Sequence, residues 1–129
     1  MIEELPYHVI EAMLDSLPVE ISFVDKDDKV RYFNKNGKRI FPRPRAIIGR
    51  KVQDCHPKKS AHIVNKLLED LKNKKRYFAE FWIDLKDRKV YIRYFAVRDP
   101  TGEYLGCLQV TQDIPDIQKI KGEKRLLDY

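Results

Sequence analysis

The chain has 129 residues, of which 43% are hydrophobic and 11% are aromatic. This length and composition suit one hydrophobic core and leave no room for a second domain. The net charge is +6, but basic and acidic residues are interleaved, which favours an ion-paired surface over a nucleic-acid-binding one. With two cysteines and no apolar run long enough to cross a bilayer, we expect a cytoplasmic protein without a membrane partner.

The first part of the chain predicts a helix followed by a β-hairpin. Apolar residues recur at three- and four-residue spacing over residues 7–17, which is typical of an amphipathic helix. Residues 18–25 and 30–34 are predicted strands, because alternating apolar and polar residues flank a short polar turn. Asn34 is expected to cap a short helix over residues 35–37, since its side-chain oxygen can accept a backbone N–H bond.

The second part predicts one long helix and three strands. The helix covers residues 57–75, with Pro57 in its first turn, an apolar face along its length and a lysine-rich C-terminal end. That apolar face consists of Ile63, Val64, Leu67, Leu68 and Leu71. Segments rich in aromatic and β-branched residues predict strands over residues 77–85, 89–98 and 104–112. We therefore expect a domain over residues 18–114, preceded by a flanking helix over residues 1–17 and followed by a helical tail over residues 115–129.

This order of elements, together with several short motifs, resembles the PAS sensor domain. The matching residues are Phe23, Val24 and Asp25, the run 30–34, Ile48 and Gly49, Val97, Arg98, Asp99 and Gly102, and the closing Asp113 and Ile114. The resemblance implies an α+β PAS fold, with a five-stranded antiparallel sheet in the order 2-1-5-4-3 and helices on one face. It also implies a non-catalytic sensor or signal-transduction module that binds a small ligand or a partner protein, commonly as a homodimer.

A narrower resemblance concerns two shorter runs. Residues 55–62 and 122–128 are similar to PAS domains associated with hemerythrin-like domain proteins of anaerobic bacteria and archaea. The abundance of Lys and Glu with few Cys and Met residues would also suit a heat-adapted source.

His62 is the first candidate for cofactor binding. Its spacing from Pro57 and Ser60 resembles the long helix of oxygen-sensing haem PAS domains, in which the corresponding histidine binds iron. On a helical wheel, however, His62 falls nearly opposite the apolar face. A solvated histidine is therefore the favoured interpretation, and haem sensing is kept as the alternative.

Cys55 and His56 are the second candidates, for haem or redox sensing at the start of the long helix. Adjacent side chains point apart, so the two cannot form a nucleophile and base pair. The simpler interpretation is that His56 caps the helix and Cys55 fills the core.

The last strand supplies the predicted ligand pocket. Alternation places Leu105, Cys107, Gln109 and Thr111 on one face, which the PAS resemblance directs towards the ligand. Gln109 and Thr111 would fix a polar ligand by hydrogen bonds or else satisfy each other. Flavin is not expected as the cofactor, because the Asn-Cys-Arg-Phe-Leu-Gln signature of photosensory relatives is missing after Gly49.

Aromatic residues form a band across neighbouring predicted strands. Its members are Trp82, Tyr91, Tyr94 and Phe95. Cross-strand packing explains most of the band, but Tyr91 and Tyr94 must lie on opposite faces of the sheet. Exposed aromatic residues there favour homodimerisation, and a dimerisation scaffold without ligand is the second alternative. No catalytic motif is recognisable, so an enzyme is not expected.

Overall fold

A computed structural model describes residues 1–35 and 37–129. Its α-helices are α1 (Tyr7–Asp15), α2 (Lys58–Lys72) and α3 (Pro115–Gln118). Its strands are β1 (Glu20–Asp25), β2 (Val30–Phe33), β3 (Phe78–Leu85), β4 (Arg88–Arg98) and β5 (Tyr104–Asp113). Short 3₁₀ turns occur at Ile2–Glu4, Arg45–Ile47, Val52–Cys55 and Leu126–Asp128.

The five strands form one antiparallel sheet in the order β2-β1-β5-β4-β3, so the predicted α+β fold and strand order are confirmed. The β3–β4 hairpin turns through Lys86 and Asp87, which have φ angles of 51° and 62°. Two consecutive positive φ angles match the right-handed twist of a two-residue hairpin. The hydrophobic pattern and the turn residues thus agree along this half of the sheet.

Helix α2 packs on one face of the sheet, called here the inner face. Leu68 and Leu71 are 3% and 0% exposed and form a buried cluster with Cys107 of β5. Ile63 is 55% exposed, so the predicted apolar face of α2 was too wide at its N-terminal end. A second cluster, formed by Val24, Val30 and Ile47, continues the core towards β2.

Polar contacts fix the C-terminal end of α2 against the sheet. The Arg98 guanidinium donates from Nη2 to the carbonyl oxygens of Leu71, at 2.6 Å, and Lys72, at 3.2 Å. These are carbonyls that the end of a helix leaves without an intrahelical partner. Lys72 Nζ also lies 2.8 Å from Asp28 Oδ1 in the β1–β2 turn. This ion pair connects the C-terminal end of α2 to the turn between the first two strands.

The prediction that Asn34 caps a following helix was wrong. Asn34 is 1% exposed, and its Oδ1 accepts from Ile21 N at 2.7 Å. Its Nδ2 donates to Leu14 O at 2.8 Å and to Val19 O at 3.1 Å, so the side chain joins α1 to the first strand. Lys35 has a φ of 55°, which is incompatible with a right-handed helix; Asn36 of the predicted helix lies outside the described residues.

The C-terminal tail is less helical than its sequence predicts. Among residues 115–129, only Pro115–Gln118 and Leu126–Asp128 are helical. Gly122, with a φ of 64°, leaves the helical region between them, and the apolar side chains of Ile120 and Leu127 are 72% and 98% exposed. None of the described helices combines the length and the apolar character needed to span a bilayer.

We predict that Asn34→Ala lowers the free energy of unfolding by about 3 kcal/mol, because it leaves one buried N–H and two carbonyls without their partner. Urea denaturation of the purified protein measures this loss. Asn73→Ala is the matched control, since the exposed Asn73 follows α2 and its loss should cost less than about 0.5 kcal/mol. Equal stability of the two variants would contradict the joining role of Asn34.

Candidate functional site

Polar side chains occupy the centre of the inner face. The β1–β5 register places Glu20 opposite Thr111 and Ser22 opposite Gln109, and side chains at such positions share a face. These four residues are called the inner polar layer. Glu20, Ser22 and Thr111 are 5%, 4% and 2% exposed, so the layer lies inside the fold and its groups need internal partners.

The structure brings three of the four predicted face-sharing residues of β5 together. Cys107 is 2% exposed and packs with the leucines of α2, and Gln109 and Thr111 lie further along the same face. Leu105 does not join them, because it is 42% exposed beside an irregularity in the β4–β5 register. A bulge of this kind shifts the alternation of side chains by one position.

Residues 39–56, called the covering segment, run over the inner face, and their first five residues make the contacts with the inner polar layer. The Arg39 and Glu20 side chains are 3% and 6% exposed, with Nη2 and Oε1 3.7 Å apart. Arg39 Nη1 donates to Asn34 O at 2.7 Å. The Glu20 carboxylate accepts from the backbone N–H groups of Ile40 and Phe41. Burial lowers the pKa of Arg39, and the neighbouring Glu20 opposes this shift, so the pair anchors the start of the covering segment.

Arg43, four residues after Arg39, also reaches the layer. Its Nη2 donates to Gln109 Oε1 at 2.8 Å. Its Nε is buried and has no hydrogen-bond partner within the described part of the chain. Sequence reasoning missed Glu20, Arg39 and Arg43. The available signal was two arginines among Ile40, Phe41 and prolines, a pattern that keeps cations in a non-helical, partly apolar segment.

His56 ends the covering segment and is partly buried. Burial lowers its pKa, and the positive charge of Arg43 lowers it further, so the neutral imidazole is favoured. The residue that caps α2 is Pro57, without a side-chain hydrogen bond. The interpretation of His56 as a helix cap was therefore wrong, and its place near Arg43 is the more informative finding.

The two cysteines occupy apolar surroundings. Cys55 packs against the cluster of Val24, Val30 and Ile47, which agrees with its interpretation as a core residue. Burial raises the pKa of Cys107 to about 12, with a further contribution from the negative charge of Asp28. The Cys107 thiol is therefore protonated near neutral pH and is a poor nucleophile or metal ligand.

His62 lies on the exposed side of α2, away from the buried Leu68 and Leu71. A haem on the inner face would therefore lie on the other side of the helix from this imidazole. Within residues 1–35 and 37–129, no group of three or more His, Cys, Asp or Glu side chains is arranged to hold a metal ion.

The opposite face of the sheet, called here the outer face, carries exposed aromatic residues. Trp82 and Phe78 are 60% and 50% exposed, and the Tyr91 hydroxyl donates to the Glu80 carboxylate. A concavity of about 330 Å³ on this face is lined by Glu80, Trp82, Lys89, Tyr91, Ile114 and Gln118. Tyr94, by contrast, packs against the α2 leucines, so Tyr91 and Tyr94 lie on opposite faces as the alternation predicts.

A second concavity, of about 360 Å³, lies beside α1. Its walls come from α1, β2 and the turn around Arg45, and its lining residues are Glu11, Asp15, Arg31, Tyr32, Phe33, Lys35, Arg45 and Ile48. It mixes acidic and basic side chains and is separate from the inner polar layer.

Solved structures with the same fold come from several bacteria. The C-terminal domain of a protein from Streptococcus mutans is 34% identical, with a TM-score of 0.84 and 91% of each chain covered. A PAS domain from Colwellia psychrerythraea is 17% identical, with a TM-score of 0.58, 84% of this chain and 97% of the other covered. A sensory box histidine kinase from Vibrio cholerae is 13% identical, with a TM-score of 0.56 and coverages of 82% and 90%.

No curated protein matches the chain at a significant level. A sequence model described as "PAS domain" matches residues 10–115, which include all five strands and α2. The chain therefore belongs to the PAS domain family.

Proposed function

We propose that this PAS domain is a non-catalytic sensor module that binds a small molecule between the inner polar layer and the covering segment. The observation that carries the proposal is the burial of Glu20, Ser22 and Thr111 at the centre of the sheet, with the half-buried Gln109 beside them. An apolar centre would be more stable, because buried polar groups lose hydration. Ligand sites commonly combine apolar walls with a few convergent polar groups of this kind.

The contacts of the covering segment offer a route from the site to the ends of the chain. Arg39 bonds to the backbone oxygen of Asn34, and the Asn34 side chain bonds to Leu14 in α1. Lys35 N also donates to Asp15 Oδ1 at 3.0 Å. A ligand that moves the covering segment would therefore change the support of α1, and occupancy would shift the population of its positions.

The outer face supports homodimerisation as a second function of the domain. Its exposed aromatic residues, with Trp82 the largest, form an apolar patch of the kind that marks protein interaction sites. A homodimer could then receive the movement of α1 from each copy. A dimerisation scaffold that binds no ligand is the competing proposal.

We further propose that this domain belongs with the PAS domains that are associated with hemerythrin-like domain proteins, and that it acts in the cytoplasm. This rests on the residue resemblance in residues 55–62 and 122–128. Haem sensing through His62 is disfavoured by the exposure of that side chain, whereas His56 and Cys55 remain the residues that a haem or redox sensor would use. The positive charge of Arg43 acts on the His56 imidazole and lowers its pKa.

Native mass spectrometry of the purified protein tests small-molecule binding. We expect a retained ligand mass that Gln109→Leu removes and Gln112→Leu preserves. Gln109 bonds to Arg43 on the inner face, whereas Gln112, three residues further along β5, points to the outer face.

The same spectra should contain a dimer that Trp82→Glu dissociates. Protein without any bound mass, together with an intact dimer, would favour the scaffold over the sensor.

We predict a pH-dependent contribution of His56 to stability. Its folded-state pKa lies below the ordinary value of about 6.5, so the unfolded chain binds the proton more readily. The contribution is therefore fully present above about pH 6.5 and is lost as the pH falls through the folded-state pKa. Urea denaturation at several pH values should show a shallower loss for His56→Gln, whereas the exposed His62→Gln should follow the wild type. Identical pH profiles for His56→Gln and the wild type would contradict this.

A further inference from the structure

Arg43 places a partly buried cation beside a neutral acceptor. Its Nη2 bonds to the carboxamide oxygen of Gln109 at 2.8 Å, and its Nε is buried without an acceptor in the described part of the chain. Arg39, in the same covering segment, is compensated by Glu20. None of the ion pairs among the described residues involves Arg43. A desolvated guanidinium in this situation is stabilised strongly by an added anion.

Arg88 shows in the same protein what such a guanidinium edge binds. Its Nε and Nη2 donate to the two carboxylate oxygens of Asp113, at 2.6 Å and 2.8 Å. This is the two-pronged geometry in which arginine recognises a planar carboxylate. Arg43 presents the same pair of nitrogens, with Nη2 on a neutral oxygen and Nε unused.

Two other arginines also have a buried Nε without an acceptor, but their surroundings differ. The guanidinium of Arg93 lies 4.7 Å from the centre of the Tyr91 ring, and that of Arg98 lies 5.5 Å from the centre of the Tyr104 ring. Stacking on an aromatic face offsets part of the loss of hydration. Arg43 has no such ring partner within residues 1–35 and 37–129.

The neighbours of Arg43 fit an anion with an apolar body. Tyr94 lies opposite Gln109 in the β4–β5 register and packs against the buried leucines of α2, which supplies an apolar wall. Arg39 is paired with Glu20, whereas Arg43 has no carboxylate partner in the described part of the chain, so one positive charge is left uncompensated among these three side chains. A bound carboxylate would balance it.

We propose that Arg43 and Gln109 bind the carboxylate of a small organic acid, with Arg43 donating from Nε and Nη2 and Gln109 donating from its side-chain nitrogen. This inference rests on the proposed sensor function and names the ligand class. In this structure, Gln109 Oε1 accepts from Arg43 Nη2 at the place that one carboxylate oxygen would take. Binding would displace it and rotate the carboxamide.

The test uses short organic acids and their neutral amides as matched probes: propionate with propionamide, butyrate with butyramide, and phenylacetate with phenylacetamide. Inorganic phosphate is a further probe. Saturable shifts in melting temperature are measured for the wild type, Arg43→Gln, Arg43→Lys and the control Arg45→Gln. Arg45 is exposed and lines the other concavity, so its replacement should not affect binding at the layer.

We expect at least one acid, and none of the amides, to stabilise the wild type and Arg45→Gln. Arg43→Gln should weaken that binding by about tenfold or more, and Arg43→Lys by less, because lysine keeps the charge but not the two-pronged geometry. Without ligand, Arg43→Gln should melt no lower than the wild type, since it removes a poorly compensated cation. The ¹⁵Nε resonance of Arg43 should move on titration with the acid.

Three results would overturn the inference. If amides bind as well as acids and Arg43→Gln binds both, the site takes neutral ligands, and the sensor proposal stands without the carboxylate. If phosphate binds more tightly than every acid, the anion class is wrong. If no acid stabilises the protein, the inference fails, and native mass spectrometry then decides whether the sensor proposal fails with it.

Discussion

The pairing of β1 with β5 is the contact on which the rest of the structure depends. It joins segments from opposite ends of the domain and places Glu20 beside Thr111 and Ser22 beside Gln109. Without this register the inner polar layer would not exist, because a one-residue slip would turn these side chains to the other face. Such distant pairings are costly in chain entropy and form slowly. The local β1–β2 and β4–β5 hairpins therefore have to order these strands before they pair.

The inner face divides into parts with different physical roles. Leu68 and Leu71 bury apolar surface against β5, and this burial lowers the free energy of the folded state. The Arg39–Glu20 pair gains less, since desolvation offsets much of the attraction between buried charges. The pair contributes mainly to geometry, because it fixes the start of the covering segment against the sheet. Arg43 then extends into the layer without a compensating charge, which makes it the least satisfied group of the site.

The individual helices and strands could be predicted from the sequence because their signals are local, whereas the strand order was implied by the PAS resemblance. Strand alternation, turn residues and the apolar face of α2 are each contained within a few residues. The long helix, predicted over residues 57–75, is observed over Lys58–Lys72, so its predicted ends differ by only one to three residues. The errors arose where distant groups override local preference. Asn34 is a good helix cap in isolation, but three backbone groups, in α1, in β1 and in the residue before β1, bond to its side chain instead.

The site was predictable only in part. Gln109 and Thr111 follow from the alternation of β5, whereas Arg43 depends on a partner 66 residues away. No local pattern reveals such a contact, since it is created by the strand order and by the path of a non-helical segment. His62 shows the reverse case, in which a short motif match suggested a ligand but helix geometry placed the side chain on the exposed side.

Hydrogen exchange measured by mass spectrometry tests most directly whether the inner polar layer is the binding site. The protein as purified is compared with protein that has been unfolded, freed of small molecules and refolded. The account predicts that removing the ligand increases exchange in residues 39–56 and in β5, and that β3 is unchanged. Exchange that is unaltered throughout, or altered only on the outer strands β3 and β4, would contradict it.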